Sequence, residues 1–289
     1  MDIFFYVFFF ILGICWGSFL NVLTYRIPIG ENIAKGRSHC TNCGTTLKAL
    51  DLIPVFSFIF LKGKCRYCKS KISWRYPLYE LFVGLLFVLT YNLFGINPYL
   101  WGLTVFIFTV NIVIAKIDWD TTFIPNKVSY PSIIIALILS PFFTKLPLEG
   151  LVPQPTLIEA LIGGVVYFAV FFLLFFISNG GMGIGDAKWA AFMGLILGWK
   201  YAFIAFFIAS FTSVLFSMFV MVFFKKKINA LPNNVVSKDD EEELPIEHKI
   251  LGISIINGKP AVVLGPFLAL GMVITWFFGV PILNWWMML

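Results

Sequence analysis

Carboxylates and cysteines are the side chains of this sequence whose types and spacing could support chemistry. Asp118 and Asp120 follow one long apolar run, and Asp186 follows another, directly after a glycine-rich segment. Two carboxylates that lie together cannot both ionise easily, so one can act as a base while the other acts as an acid. If Asp118 and Asp186 emerge on one face of a membrane, they form the pair that an aspartyl protease needs. One withdraws a proton from water, and the other hydrogen-bonds the peptide carbonyl.

The glycines before Asp186 support this interpretation. Gly183 and Gly185 let a backbone approach a neighbour or a substrate closely, and unwound backbone at membrane depth is tolerated only where it lines a cavity. Structural alternatives exist: the two earlier aspartates as interfacial charges, and Asp186 as a helix cap or as the partner of Lys188. Two such sites on one face favour the catalytic interpretation.

Four cysteines form two Cys-x-x-Cys pairs separated by 21 residues: Cys40 with Cys43, and Cys65 with Cys68. This spacing is close to the four-cysteine zinc pattern, in which four thiolates complete a tetrahedron around Zn²⁺. Such a site has no open ligand position, so its expected role is structural. The alternative is four free or redox-active thiols, although a cytosolic loop disfavours disulfides.

The composition defines the environment of these residues. Hydrophobic residues make up 60% of the chain, charged residues only 12%, and the mean hydropathy is +0.90. A soluble domain is about 25% charged and cannot hide this much apolar surface. The composition excludes a soluble globular enzyme, a disordered chain and a disulfide-rich secreted module. We therefore predict an all-α polytopic membrane protein.

Apolar runs long enough to cross about 30 Å of hydrocarbon predict about eight transmembrane helices. Residues 189–224 also allow one long tilted helix with a re-entrant piece, but the turn signal Gly198-Trp199-Lys200 favours two spans. The predicted spans cover 3–23, 77–94, 100–117, 128–143, 156–177, 189–199, 202–224 and 261–283.

The charged residues predict the orientation and division of the chain. Loop 24–76 carries ten Lys or Arg and two acids, and such basic loops lie on the cytoplasmic side. We expect a first span over 1–23 with its N-terminus outside, a cytoplasmic zinc-binding loop over 24–76, and an aspartyl peptidase membrane domain over 77–289. Within that domain, the charged stretch 225–260 is expected to be a flexible, solvated cytoplasmic loop.

The chain resembles the type IV prepilin peptidases, bifunctional leader peptidase/N-methyltransferases of bacterial pilus, secretion and competence systems. The resemblance covers nearly the whole chain, and the order of its motifs makes it specific. The matching segments are Gly17-Ser-Phe-Leu-Asn21-Val, Tyr25-Arg26-Ile-Pro28, the two Cys-x-x-Cys pairs, Ile72-Ser-Trp-Arg75-Tyr-Pro77-Leu-Tyr-Glu80, Ile117-Asp118, Ile124-Pro125-Asn126, Gly183-Ile-Gly-Asp186-Ala-Lys188 and Gly265-Pro-Phe-Leu-Ala-Leu-Gly271.

The resemblance implies a Gly-x-Gly-Asp aspartyl endopeptidase in which Asp118 and Asp186 are the catalytic residues. Its implied substrate is a prepilin or pseudopilin with a short basic leader. The leader would be cut after a glycine on the cytoplasmic face of the bacterial inner membrane. Supporting residues at the site would be Gly183, Gly185, Lys188 and Asp120, the last also being the fallback catalytic candidate.

The resemblance also implies that the new N-terminus is methylated, with S-adenosylmethionine as the donor. The sequence has no Gly-x-Gly-x-x-Gly unit of the dinucleotide-binding kind, so this activity rests on the resemblance alone. The candidate residues flank the basic loop: Asn21, Arg26, Arg75 and Glu80. Their structural alternatives are snorkelling of the arginines at the lipid surface and an ion pair of Glu80 with a basic residue.

Besides the lipid bilayer and the prepilin, we expect no nucleic-acid partner, and the sequence does not predict an oligomeric state. The competing functions are an intramembrane protease for other signal peptides, a proton-coupled transporter with Asp118, Asp186 and Lys188 as a relay, and a non-catalytic zinc-bearing scaffold. A transporter predicts inverted repeats, which we do not find in the sequence, and a scaffold leaves the Gly-x-Gly-Asp segment unexplained.

Overall fold

A computed structural model describes residues 2–143, 150, 152–178, 182–228, 253–256 and 259–288. Helices dominate these residues, together with a 3-10 turn at Ala49–Asp51 and one antiparallel hairpin. The predicted all-α architecture is therefore confirmed, and the hairpin is an addition to it. The helices are α1 (Asp2–Arg26), α2 (Phe56–Phe60), α3 (Arg75–Phe94), α4 (Pro98–Thr121), α5 (Asn126–Phe143), α6 (Leu157–Ile177), α7 (Ile184–Ile228) and α8 (Gly265–Met287), and the strands are β1 (Ile253–Ile256) and β2 (Lys259–Val262).

Six of the described helices are long and apolar enough to cross a membrane: α1, α3, α4, α6, α7 and α8. The predicted number of about eight spans is not confirmed. Two predicted spans, 189–199 and 202–224, fall within α7, which consists of two helical stretches that meet at a kink, and the predicted span 128–143 corresponds to α5, which is not among the six. The first turn of α5 carries the polar residues Asn126, Lys127 and Ser129.

A glycine interrupts α7 where the sequence predicts a turn. Gly198 has φ 71° and ψ 172°, which is not helical backbone. A Cβ there would lie 2.6 Å from Cβ of Pro155, so both the backbone conformation and the space require glycine. The predicted turn is thus real, but helix continues on both sides of it.

The chain divides into two compact units, residues 1–109 and 110–289, and the boundary falls inside α4. In the first unit, α1 packs on α3 through small residues. A Cβ on Gly13 would lie 2.8 Å from Cα of Gly84, and one on Gly17 would lie 2.9 Å from Cα of Glu80. Small residues at this spacing allow two membrane helices to approach closely.

Close approach also organises the second unit, in which α7 packs against α5, α6 and α8. A Cβ on Gly163 of α6 would lie 2.6 Å from the carbonyl oxygen of Gly194 in α7. On α8, Gly271 faces the backbone of Ala205 with equally little space. Helix α7 is therefore the central element on which the other helices of this unit pack.

The helix ends differ from the predicted ones in ways that concern the aspartates. Helix α4 continues to Thr121, so Asp118 and Asp120 lie in its last turn and not in a following loop. Helix α7 begins at Ile184, which places Asp186 in its first turn. The predicted division into a first span, a zinc loop and a peptidase domain stays a prediction.

The last predicted span begins later than expected. Residues 259–262 pair as strand β2, and α8 begins at Gly265, with Pro266 in the first turn, where a missing amide proton costs nothing. The hairpin also occupies part of the predicted charged loop 225–260. Residues 229–252 of that loop, and the glycines of 179–181, lie outside the described residues.

Candidate metal centre and candidate active site

The first cysteine pair is held in a tight turn. The amide of Cys40 donates to the carbonyl of Thr45 at 3.0 Å, and the amide of Gly44 donates to the carbonyl of Cys40 at 2.8 Å. Gly44 has φ 69°, and His39 and Thr46 form an isolated antiparallel bridge around the turn. Because the turn is closed by local backbone bonds, its geometry follows from a few consecutive residues.

The second cysteine pair repeats this pattern. The amide of Cys65 donates to the carbonyl of Ser70 at 2.8 Å, the amide of Lys69 donates to the carbonyl of Cys65 at 3.1 Å, and Lys64 bridges Lys71. Lys69 has φ 60° at the position that Gly44 occupies in the first pair. Two equivalent turns therefore present two pairs of thiols.

The four sulfur atoms lie together, all within 4.8 Å of one another. A zinc ion bound at about 2.3 Å to four sulfurs in a tetrahedron requires sulfurs about 3.8 Å apart, and Sγ of Cys40 lies 3.9 Å from Sγ of Cys68. The cluster can therefore hold a metal ion. The ligand atoms come from Cys40, Cys43, Cys65 and Cys68.

Hydrogen bonds favour the thiolate form of two of these cysteines. The hydroxyl of Ser70, 3.1 Å from the sulfur, lowers the pKa of Cys68 to about 5, together with the Ser70 amide and the side chain of Asn42. The backbone amides of Cys43 and Asn42 lower the pKa of Cys40. The backbone amides of Cys68 and Tyr67 favour the Cys65 thiolate, but burial and the side chains of Cys40 and Cys68 outweigh them and raise the pKa of Cys65. Thiolates are the species that bind metals, so the surroundings of Cys40 and Cys68 suit a cation.

Asp51, which the sequence did not single out, links the second cysteine pair to the chain between the two cysteine pairs. Asp51 accepts hydrogen bonds from the side chains of Arg66 and Tyr67, which lie between Cys65 and Cys68, and from the amide of Lys48. A signal for it was present, because Asp51 is one of only two acids in loop 24–76.

Arg26, a candidate for methyl transfer, organises the loop that follows α1. The side chain is buried, and Nε lies 3.6 Å from the carboxylate of Glu31. This placement differs from snorkelling at a lipid surface, because the guanidinium is turned into the loop. Its nitrogens donate to the backbone carbonyls of Asn32, Lys35, Gly36 and Arg37.

The other three methyl-transfer candidates lie around the start of α3. Asn21 donates to the carbonyl of Tyr76 at 3.2 Å, joining α1 to α3, and Arg75 is exposed at the first position of α3. The buried carboxylate of Glu80 accepts a 2.7 Å hydrogen bond from the amide of Val55. The sequence predicted an ion pair for Glu80 and did not predict this amide.

Asp118 is buried in the last turn of α4 and contacts the start of α8. Its Oδ2 accepts a 2.9 Å hydrogen bond from the amide of Gly265, the first residue of α8. A helix N-terminus presents such amides to anions. A Cβ on Gly265 would lie 2.9 Å from Cγ of Asp118. Asp120 is half-buried two residues further on, about 200° around the helix.

Asp186 is half-buried and forms a local turn. Its Oδ2 accepts a 3.2 Å hydrogen bond from the amide of Gly183, and its own amide donates to the Gly183 carbonyl at 3.2 Å. Asp186 is the third residue of α7, so this is one half of a capping box, in which the N3 carboxylate accepts from the amide that precedes the helix. The capping interpretation is therefore compatible with the structure, and it orients the carboxylate.

The chain segment that follows Asp118 lies against the segment that contains Asp186. A Cβ on Gly185 would lie 2.7 Å from Cβ of Ile124, and Nζ of Lys188 donates to Oδ1 of Asn126 at 2.6 Å. The Lys188 ammonium also lies 4.9 Å from the ring centre of Tyr130. The segment that follows the first aspartate thus packs on the segment that contains the second.

Comparison with known proteins now defines the family. Residues 11–94 match the model of the bacterial peptidase A24 N-terminal domain, and residues 105–218 match that of the type IV leader peptidase family. The chain belongs to the type IV leader peptidase family. The four cysteines lie in the first matched range of this leader peptidase, and Asp118 and Asp186 lie in the second.

Several proteins named prepilin leader peptidase/N-methyltransferase are relatives of this leader peptidase. The one from Bacillus subtilis is 36% identical over 198 residues, which are 68% of this chain and 76% of the relative. The one from Klebsiella pneumoniae is 33% identical over 201 residues, 67% of this chain and 85% of the relative. The one from Myxococcus xanthus is 33% identical over 68% of this chain and 57% of the relative. No solved structure matches the chain.

Proposed function

We propose that this protein is a prepilin leader peptidase of the bacterial inner membrane. It cuts the leader from prepilins or pseudopilins after a glycine, on the cytoplasmic face. The observation that carries the proposal is the contact between the segments of Asp118 and Asp186, in a chain that belongs to the leader peptidase family. Family membership gives the reaction, and the contact supports the choice of these two aspartates.

In the proposed mechanism, Asp118 and Asp186 share one proton. The ionised carboxylate takes a proton from water while the water oxygen adds to the scissile carbonyl carbon, and the protonated carboxyl hydrogen-bonds the carbonyl oxygen. The C–N bond then breaks, and the leaving amine takes the proton that the first carboxylate removed from water, which returns the pair to its starting state with one shared proton. The amides of Gly265 and Gly183 orient the two carboxylates through their Oδ2 atoms.

The supporting residues have defined tasks in this proposal. Gly185 allows the Ile124 segment to approach, and Lys188 fixes the start of α5 through Asn126. Asp120 is on the same helical turn as Asp118 but in a different direction. We therefore keep Asp120 as the fallback and assign the chemistry to Asp118.

The four-cysteine cluster is proposed to bind a structural Zn²⁺. Four sulfurs within 4.8 Å of one another, two of them with lowered thiol pKa values, fit this ion. Since all four positions are protein ligands, the ion has no place for water or substrate. Its task is to hold the two turns together, and no catalytic step passes through it.

N-methylation of the new N-terminus is proposed as the second activity, because the relatives carry the name of both activities. S-adenosylmethionine would supply the methyl group. The contacts of Asn21, Arg26 and Glu80 join the basic loop to α1 and α3, which suits a structural role. We therefore assign no methyl-transfer step to these residues or to Arg75.

The proposed orientation has the N-terminus outside and the cysteine loop in the cytoplasm, as the basic residues of loop 24–76 favour. Family membership favours prepilins over other signal peptides as substrates. It likewise disfavours the transporter and the non-catalytic scaffold, which would not require the leader peptidase motifs.

Mass spectrometry of a co-expressed prepilin tests the proposal. The expected product lacks the leader up to a glycine and carries one added methyl group on its new N-terminal residue. A prepilin that stays uncut beside the wild-type protein contradicts the peptidase proposal. A product that is cut but unmethylated contradicts only the second activity.

A further inference from the structure

Between the two cysteine pairs lies a short helix with one strongly apolar, exposed side. Phe56, Ile59 and Phe60 of α2 are 50%, 60% and 80% exposed, respectively. They occupy positions i, i+3 and i+4, which share one face of a helix. We call these three residues the α2 face. Phe58 is buried on another side of α2 and contacts the ring of Trp74, with ring centres 4.6 Å apart.

Helix α2 is tied to a candidate membrane span near the end of that span. The amide of Val55, immediately before α2, donates at 2.7 Å to Glu80 of α3. Glu80 lies five residues after the first residue of α3, which corresponds to about 7.5 Å along the helix axis. Helix α2 therefore begins level with the first turns of a span and not far out in solvent.

Two further features fix this placement. Val55 has φ 62°, a conformation that a β-branched residue rarely adopts unless its surroundings impose it. Trp74 precedes α3 directly and is 68% exposed. Tryptophan is enriched at the level of lipid headgroups, so its position indicates the height of the membrane surface beside α2.

The surroundings of the α2 face carry positive charge. Exposed lysines follow α2 directly, at Lys62 and Lys64, and loop 24–76 has a net charge of +8. Lysines next to exposed aromatic residues are the composition of segments that bind anionic bilayers. The same charge would repel a basic leader peptide, so the surface fits lipid better than substrate.

We propose that the α2 face inserts into the headgroup region of the anionic lipid leaflet beside α3, with Lys62 and Lys64 at the phosphates. A helix of five residues is far too short to cross the bilayer and lies in the interface. The insertion anchors the chain between the two cysteine pairs to the membrane surface. This proposal needs α3 to span the bilayer but does not depend on the proposed catalytic activity.

Photo-crosslinking from the face to lipid tests the insertion. A benzophenone-bearing phenylalanine analogue replaces Phe60 in the full-length protein, which is reconstituted without prepilin in vesicles that contain phosphatidylglycerol. The matched control carries the same analogue in place of Ile33, an exposed apolar residue of the same loop outside the two cysteine pairs. The expected result is a lipid adduct at position 60 and little adduct at position 33, read by mass spectrometry of the peptides.

The role of charge has its own test in the same assay. Changing both Lys62→Gln and Lys64→Gln is expected to lower the adduct yield at position 60, by up to roughly fivefold per lysine. Vesicles of phosphatidylcholine alone should lower it as well. Equal lipid adducts at positions 33 and 60, or crosslinks from position 60 to this protein itself, would overturn the proposal. The proposal would also be overturned if the adduct yield at position 60 were unchanged both by the two lysine substitutions and by vesicles without anionic lipid.

Discussion

The cysteine cluster and the aspartate site are built in opposite ways. All four cysteines lie within residues 40–68, and the turn of each pair is closed by backbone hydrogen bonds that span at most nine residues. The aspartate site joins Asp118 to the amide of Gly265, which is 147 residues away in sequence. One site is a local structure, and the other exists only when α4, α5, α7 and α8 have packed.

The two sites are therefore vulnerable to different changes. Local backbone bonds allow the cysteine pairs to keep their shape when distant parts of the chain change. The aspartate site depends on close contacts at glycines, where there is no room for a side chain larger than a hydrogen atom. Single added methyl groups should therefore damage the aspartate site in proportion to the crowding at each glycine.

Among the glycine variants, the largest effect is expected for Gly265→Ala. The added Cβ would meet the Asp118 carboxylate, which must move away from the α8 amide. Displacement of a catalytic group by about 1 Å costs roughly 100-fold in rate, and we expect prepilin cleavage to fall by about that factor. Gly102→Ala is the matched control on α4, since a Cβ there meets nothing within 4 Å. Equal rates for the two variants would contradict the contact.

A smaller effect is expected for Gly185→Ala. The added Cβ would lie 2.7 Å from Cβ of Ile124, and overpacking of this kind costs about 1–3 kcal/mol. Thermal unfolding in detergent should show the loss, and prepilin cleavage should fall because the two aspartate-bearing segments are pushed apart. An unchanged unfolding temperature together with full cleavage would mean that these segments do not pack as described.

Loss of the metal should affect the cysteine cluster much more than the aspartate site. Cys40→Ser combined with Cys65→Ser removes one ligand from each pair and should abolish bound zinc, measured by atomic absorption on the purified protein. The aspartates lie in the other compact unit, so we expect cleavage to fall less than in Gly185→Ala. If this variant is folded but does not cleave prepilin at all, the cysteine cluster is required for the activity of the aspartate site.

The smallest effect is expected for Gly183→Ala, even though this glycine belongs to the Gly-x-Gly-Asp motif. A Cβ there would lie 3.4 Å from Oδ2 of Asp186, which is an ordinary contact, and the amide that Asp186 accepts is retained. Stability should stay within about 0.5 kcal/mol, with cleavage near the wild-type rate. A severe loss of cleavage would indicate that the position must admit a substrate backbone.

The same contrast explains what the sequence could predict. The cysteine cluster and the break at Gly198 follow from local spacing and turn residues, and both are found in the structure. The sequence also singled out the leader peptidase motif that begins at Gly265. It could not show that the amide of Gly265 binds Asp118, because that contact depends on the packing of α8 against the rest of the second unit.

Helix ends and span number were the weaker predictions. Charge placed the end of the third span at residue 117, whereas α4 continues to Thr121 because buried polar groups can be satisfied by neighbouring helices. The two spans expected in residues 189–224 correspond to two helical stretches that meet at the kink of Gly198, and because together they make one candidate span, the predicted number of spans is not confirmed. Asp51 was missed because its partners, Arg66 and Tyr67, lie on the second cysteine turn.

The central claim is that Asp118 and Asp186 act together on water. Single-turnover cleavage of a purified prepilin by Asp118→Asn, Asp186→Asn and Asp120→Asn in vesicles tests it most directly, with folding checked by thermal unfolding. We expect each of the first two variants to lose roughly 1,000-fold or more in rate, because members of a catalytic unit act together, and we expect Asp120→Asn to cut at nearly the wild-type rate. Normal cleavage by Asp118→Asn or by Asp186→Asn would contradict it, and loss in Asp120→Asn with an active Asp118→Asn would move the first catalytic position to Asp120.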